Sequence, residues 1–131
     1  MSRCILDTSL LIEMFDRGNE VLLECILKRC RTIYIPCIVM YEYLYGHKYL
    51  GRDINERKKV LEKLGIIVWI TQDVLLKALE IDIKLRKQGL TIPFSDVLIA
   101  TTSIALGAEL ISLDERHYSR IKELKLYIPR A

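Results

Sequence analysis

Residues 3–13 read Arg3-Cys4-Ile5-Leu6-Asp7-Thr8-Ser9-Leu10-Leu11-Ile12-Glu13. The apolar run Cys4-Ile5-Leu6 has the length and composition of a buried strand. An acid ends it, and Thr8 and Ser9 follow as capping hydroxyls ahead of a second apolar run. In an open α/β sheet, ligands sit just beyond the carboxyl ends of the strands. Asp7 therefore fits two roles, cap of the following helix and ligand of a metal or a phosphate. The choice turns on whether other acids reach the same edge.

Outward from this stretch, strand and helix signals alternate along the whole chain. Further strands are expected at 32–35, 66–70, 110–111 and 126–128, and helices at 9–15, 20–30, 38–49, 53–64, 71–88 and 94–106, with a short last helix capped by Asp114. Asp53 and Glu56 have the spacing of a capping box. The run Ile66-Ile67-Val68-Trp69-Ile70 is almost purely apolar, which fits a strand covered on both faces. Pairs of opposite charge are expected at Glu24–Lys28, Asp73–Lys77 and Glu80–Lys84, where the acid precedes the base by four residues. Asp73, Lys77, Glu80, Lys84 and Lys87 read as one solvated face. The alternation predicts an α/β fold with a parallel sheet covered by helices on both faces. No linker, repeat or low-complexity segment interrupts it, so residues 1–131 read as a single domain.

Composition narrows the class further. Half the residues are apolar (51%), which excludes disorder. The 20 basic and 17 acidic residues leave a formal charge of +3, which neither demands nor repels nucleic acid. The longest uncharged stretches, 32–41 and 97–108, fall short of the roughly 18 residues of a membrane span. Asp7 and Glu13 interrupt the N-terminal apolar stretch, which is unlike a signal peptide, so a cytoplasmic location is expected. Cys4, Cys25, Cys30 and Cys37 form no CxxC pair and have no histidine at zinc-finger spacing. They are expected as buried thiols. A disulfide among Cys25, Cys30 and Cys37 belongs only to an unusually oxidising or thermophilic setting.

Four carboxylates sit in apolar surroundings: Asp7, Glu42 in Val39-Met40-Tyr41-Glu42-Tyr43-Leu44, Asp96 in Phe94-Ser95-Asp96-Val97-Leu98, and Asp114 after Leu110-Ile111-Ser112-Leu113. Asp7 and Asp114 each end a strand and so share one sheet edge. Asp96, in the first turn of its helix, and Glu42, near a helix start, can reach that edge. Alone, Asp7 and Asp114 are explained equally well as caps and Glu42 as an exposed glutamate, whereas Asp96 fits a cap less well because Pro93 and Ser95 already mark the helix start; four on one edge favour a site. Clustered, half-buried carboxylates repel one another and take up protons unless a cation neutralises them. An all-oxygen set without Cys or His suits Mg²⁺ or Mn²⁺. These ions polarise phosphoryl oxygens and activate water, which points to phosphodiester hydrolysis.

The pieces ILDTS with Asp7, YEYLYG with Glu42, FSDVLIATTSIALGAELIS with Asp96 and ISLDERHYSRI with Asp114 together resemble the PIN domain family, and within it the VapC-type toxin ribonucleases. The resemblance runs over essentially the whole chain. It implies a three-layer α/β/α sandwich around a five-stranded parallel sheet, and a Mg²⁺- or Mn²⁺-dependent endoribonuclease. Homodimers and inhibition by a small antitoxin protein are implied as well. By this resemblance Asp7, Glu42, Asp96 and Asp114 are the site acids, with Asp7, Asp96 and Asp114 on the metal. Ser9 and Ser112 are supporting hydroxyls, Ser112 standing where Thr is more usual. A housekeeping nuclease of RNA processing and a non-catalytic module binding RNA or protein are the alternatives within the same fold.

Other phosphate chemistries fit less well. A haloacid-dehalogenase-type phosphatase needs an acid at position 9, where Ser9 stands. A receiver domain needs one at the end of the third strand, where Ile70-Thr71-Gln72 offers none. GxGxxG and GxxxxGK[ST] are absent. For RNA, Arg116 and Arg120 read as one helix face beginning at Asp114, whereas Arg52, Arg57, Lys58, Lys59 and Lys122 fit a solvated surface as well as a groove. Tyr41, Tyr43, Tyr45 and Tyr49 suit base stacking, a protein partner or the core. His47 and His117 have no ligand spacing and are read as non-ligands, with phosphate contact left open for His117.

Overall fold

The computed structural model describes residues 2–130. Five strands form one sheet in the order β3-β2-β1-β4-β5, with all neighbouring pairs parallel. They are β1 (Arg3–Leu6), β2 (Thr32–Pro36), β3 (Ile66–Val68), β4 (Glu109–Ile111) and β5 (Leu126–Tyr127). Seven α-helices flank the sheet in a three-layer α/β/α arrangement: α1 (Thr8–Leu11), α2 (Glu20–Arg29), α3 (Cys37–Tyr49), α4 (Asn55–Leu64), α5 (Gln72–Lys87), α6 (Phe94–Leu106) and α7 (Glu115–Tyr118).

The order has a functional consequence. From β1 the chain builds outward through β2 to β3, then returns to the other side of β1 with β4 and β5. The order therefore reverses between β1 and β4, and ligands bind beyond the carboxyl ends at such a reversal. Cys4, Ile5 and Leu6 pair with Glu109, Leu110 and Ile111, so Asp7 and the loop after Ile111 leave the sheet side by side. Cys4, Ile5, Leu6, Leu110 and Ile111 are fully buried, as are Val97 and Ala100 of α6. Gly107 closes α6 in the left-handed region at φ 61°, where its N–H bonds Ile104 and Ser103 carbonyls. That closure turns the chain directly into β4.

Several expectations change. The helix expected at 9–15 is a single α turn, α1, followed by a π-helical turn, Ile12–Asp16. The apolar run 66–70 is an edge strand rather than a covered one. β3 stops at Val68, Ile66 is 56% exposed and Trp69 66% exposed. Its apolar character serves a surface groove of about 500 Å³ lined by Tyr41, Leu44, Tyr45, Trp69 and Ile70. Asp53 accepts the Asn55 N–H at 2.9 Å, but α4 begins only at Asn55 and has no side-chain cap on Ile54, so no capping box forms. Lys77 reaches Glu80 at 3.9 Å and Glu123 at 3.3 Å instead of Asp73, and the Glu24–Lys28 and Glu80–Lys84 pairs do not appear among the described residues.

The cysteines differ most. Cys4 and Cys30 form a disulfide with Cα atoms 5.7 Å apart, while Cys25 and Cys37 are free. Cys4 was the cysteine left out of the expected pairings. The sheet register explains the pair: Cys4 in β1 lies opposite Ile33, and α2 ends at Arg29, just before the chain enters β2. No helix among the described residues is long and apolar enough to cross a membrane.

Candidate active site

Asp7 is the N-cap of α1 and is 5% exposed. Its Oδ1 accepts the Ser9 hydroxyl at 2.6 Å and the Leu10 N–H at 3.3 Å, and its Oδ2 accepts the Ser112 hydroxyl at 2.5 Å. Cap and site roles therefore coexist in one carboxylate. Burial raises its pKa above the ordinary value; the Ser112, Ser9 and Leu10 donors oppose that rise, and the nearby Asp96 charge adds to it. Ser9 and Ser112 also brace the loop after β4. Ser112 Oγ accepts the Asp114 N–H at 2.9 Å, and Ser9 Oγ the Leu113 N–H at 3.4 Å.

Asp114 caps α7 by accepting the His117 N–H at 3.1 Å. Asp96 lies in the first turn of α6, where the free N–H groups of the helix end favour an anion. Its Oδ1 accepts the Tyr118 hydroxyl at 3.4 Å and its Oδ2 lies 3.1 Å from His117 Nδ1. Burial raises the Asp96 pKa; His117 lowers it, and Asp114 and Glu42 raise it again. Glu42 arrives from the second turn of α3, deeper in its helix than expected, and its Oε1 accepts the Thr8 hydroxyl at 2.9 Å.

One cavity of about 230 Å³ is lined by Asp7, Thr8, Ser9, Glu42, Asp96, Ile99, Asp114 and Tyr118. All four acids thus surround one space, at the edge where β1 and β4 end. The cavity is small and polar, and larger apolar grooves lie elsewhere; the chemistry of the donors, not size, marks it. Four carboxylates, two of them with raised pKa values, form an electrostatically unfavourable set until a cation joins them. A divalent cation fits this donor set.

Two residues of the site escaped sequence reasoning, and a third was read only as an open phosphate contact. Thr8 orients Glu42. Tyr118 is 1% exposed, and burial, followed by the charges of Asp7, Asp96 and Asp114, pushes its pKa far upward, so it remains a hydroxyl donor. His117, read as a non-ligand, stands between Asp96 and Asp114, 3.1 and 3.0 Å from their oxygens. The positions Asp114, His117 and Tyr118, spaced by three and four on a helix, carried the signal.

The basic candidates separate. Arg116 is exposed on α7. Because α7 ends at Tyr118, Arg120 does not continue its face; its guanidinium donates to the Thr91 carbonyl at 3.1 Å. Arg57, read with a solvated surface, instead donates to Asp16 at 2.7 Å and to the Tyr43 hydroxyl at 3.0 Å. Lys58 and Lys59 are exposed. His47 is 4% exposed between Asp16 and Arg52. A guanidinium only donates, so His47 Nδ1 accepts from Arg52 and Nε2–H donates to Asp16. Tyr43 is core, whereas Tyr41, Tyr45 and Tyr49 are exposed, the last two stacked with ring centroids 6.3 Å apart.

The sequence model of the PIN domain matches residues 4–124. A VapC ribonuclease of Pyrococcus furiosus is 28% identical over 120 residues, covering 92% of this chain and 80% of that protein. Ribonuclease VapC1 of Methanocaldococcus jannaschii is also 28% identical, covering 96% of this chain and 88% of that protein. Among solved structures, VapBC2 from Rickettsia felis, bound to a DNA fragment of its promoter, superposes with a TM-score of 0.84 at 25% identity, covering 98% of this chain and 99% of that one.

Proposed function

This chain belongs to the PIN domain family, and on that premise we propose that it is a metal-dependent endoribonuclease that hydrolyses phosphodiester bonds of RNA, the toxin of a VapBC-type pair. The observation that carries this reading is the meeting of Asp7, Glu42, Asp96 and Asp114, from four distant segments, around one cavity at the reversal of strand order. The two VapC ribonuclease relatives and the VapBC2 complex support the substrate and the toxin role.

Asp7, Asp96 and Asp114 are the groups that would hold the cation, Mg²⁺ or Mn²⁺. When bound, such an ion supplies charge neutralisation at the phosphoryl oxygens and a lowered pKa for water. Ser9, Ser112 and the Leu10 N–H hold the Asp7 carboxylate in one orientation, so its geometry is set before substrate arrives. Glu42, fixed by Thr8, orients the attacking water and accepts its proton. Tyr118 donates to Asp96 and keeps that side chain turned into the cavity. The water oxygen bonds to phosphorus as the opposite P–O3′ bond breaks; O3′ departs with the bonding pair and takes a proton from solvent, giving a 3′-hydroxyl and a 5′-phosphate. Arg116, exposed two residues after Asp114, is the proposed contact to the RNA backbone. The proposed partners are RNA, a second copy of the chain and a small antitoxin.

The test is cleavage of a panel of structured RNAs by the purified protein with Mn²⁺, Mg²⁺ or EDTA, beside Asp96→Asn. Metal-dependent cutting that disappears in the variant supports the nuclease and its site, and cutting of one RNA at one position supports the toxin role. Cleavage retained in EDTA, or undiminished in both Asp7→Asn and Asp96→Asn, would overturn the assignment.

A further inference from the structure

The four-acid set leaves out one group that touches two of its members. His117 Nδ1 lies 3.1 Å from Asp96 Oδ2 and 3.0 Å from Asp114 Oδ2, and one ligand atom from each of these three residues lies within 4.8 Å of the other two. We propose that His117 is a nitrogen ligand of the cation through Nδ1, and that the site therefore selects Mn²⁺ over Mg²⁺. This rests on the metal-dependent reading above.

The two separations from Nδ1 are those of neighbouring ligands on one cation. Two ligand atoms each about 2.1 Å from a cation, at right angles in an octahedron, are about 3.0 Å apart. Both separations from Nδ1 have that length. The ring is also held from below, because Asp114 accepts the His117 backbone N–H at 3.1 Å. The imidazole thus meets Asp96 and Asp114 from a fixed turn.

Ligand chemistry sets the consequence. Carboxylates and water suit Mg²⁺ and Mn²⁺ alike, but Mn²⁺, although the weakest binder of the first-row series, is softer than Mg²⁺ and accepts an imidazole nitrogen more readily. Mg²⁺ sheds its water reluctantly and gains less from a nitrogen donor. Exchanging one oxygen position for Nδ1 shifts selectivity while leaving Asp7, Asp96 and Asp114 as the charged ligands.

The test uses the full chain stripped with EDTA, titrated by calorimetry with Mn²⁺ and separately with Mg²⁺, and pulsed electron paramagnetic resonance of the Mn²⁺-loaded protein. The variants are His117→Gln and His117→Ala. The wild type should show hyperfine coupling to an imidazole nitrogen, absent in both variants. Their Mn²⁺ affinity should fall by about 10- to 100-fold, with Mg²⁺ affinity changed by no more than about twofold. The chain has 2 histidines, and His47 is committed to Asp16 and Arg52, so the coupling is assignable. Bound Mn²⁺ without nitrogen coupling in the wild type, or equal losses for both ions in the variants, overturns the nitrogen ligand and leaves the metal-dependent reading standing. Folded wild type that binds neither ion overturns both. The wild-type spectrum decides even where a variant fails to fold.

Discussion

Asp7 concentrates the tension of the site in one carboxylate. Burial and the neighbouring Asp96 raise its pKa from the ordinary 3.8, while three donors pull it back, and Asp96 is itself raised by burial. In the metal-free protein the folded chain then binds these protons more tightly than the unfolded chain. The sign follows: the stability that the two groups contribute is present below the unfolded value and is lost as pH rises through the raised native values. EDTA-treated protein should lose melting temperature through this pair as pH rises above about 4, and Asp7→Asn should flatten that loss. At pH 7 the same variant should melt about 2–4 °C higher yet cut no RNA, the trade expected of a residue held for function. A lower melting temperature with an unchanged pH profile would argue against buried charge at this position. Thr8 gives a second test at this scale. Thr8→Val removes the only hydroxyl bonded to Glu42 among the described residues and should reduce turnover about tenfold, while Thr8→Ser restores it; equal activity in both would remove Thr8 from the site. The four acids were legible in the sequence because acids are conspicuous in apolar runs. Thr8 and Tyr118 were not, because a hydroxyl's partner lies across the fold and leaves no local trace.

At the scale of elements, β1 is bound to its surroundings twice, by ladders to β2 and β4 and by the Cys4–Cys30 link to the end of α2. A sequence separation of 26 corresponds to a loop-closure contribution of about 3.5 kcal/mol on the chain-entropy account. Reduction with a phosphine, or the Cys30→Ala variant, should lower the unfolding free energy by about 2–4 kcal/mol in denaturant titrations, with a steeper slope because the released unfolded chain exposes more surface. An unchanged midpoint would mean the pair carries no stability. The strand–helix alternation was readable from apolar runs and their Gly, Pro and Asp boundaries. The cross-link was not, because it depends on where α2 stops relative to the β1–β2 register. β3 was misjudged for a related reason, since an apolar run does not distinguish a strand covered by helices from an edge strand beside a surface groove. Gly65, which precedes β3, is held there by close approach: a Cβ would lie 2.5 Å from the Ile33 carbonyl oxygen. Gly65→Ala must therefore push β3 away from β2.

On the whole molecule, the apolar surface left uncovered is arranged, not scattered. α5 buries Val74, Ala78, Ile81 and Leu85 but exposes Leu75, Leu79 and Ile83, at 47%, 55% and 46%. These three are spaced by four and form a single ridge, the row that packs into the equivalent groove of another helix. A ridge of this kind is self-complementary about a two-fold axis, as an isologous contact requires. The concave groove of Tyr41, Tyr45 and Trp69 instead suits a segment of a different chain. The ridge and the groove share no residue, so the homodimer and the antitoxin contact proposed above are separable on this surface. Leu79→Glu places a charge on the ridge at a position the protomer does not bury, so the fold should be unaffected. In sedimentation experiments it should weaken self-association by about 30-fold or more. Since the four carboxylates of one protomer line one cavity, the dissociated variant should still cut RNA at the wild-type rate per subunit. Cleavage that vanished with dissociation, in a variant whose circular dichroism matched the wild type, would mean that the second copy completes the RNA path even though it supplies none of the four acids.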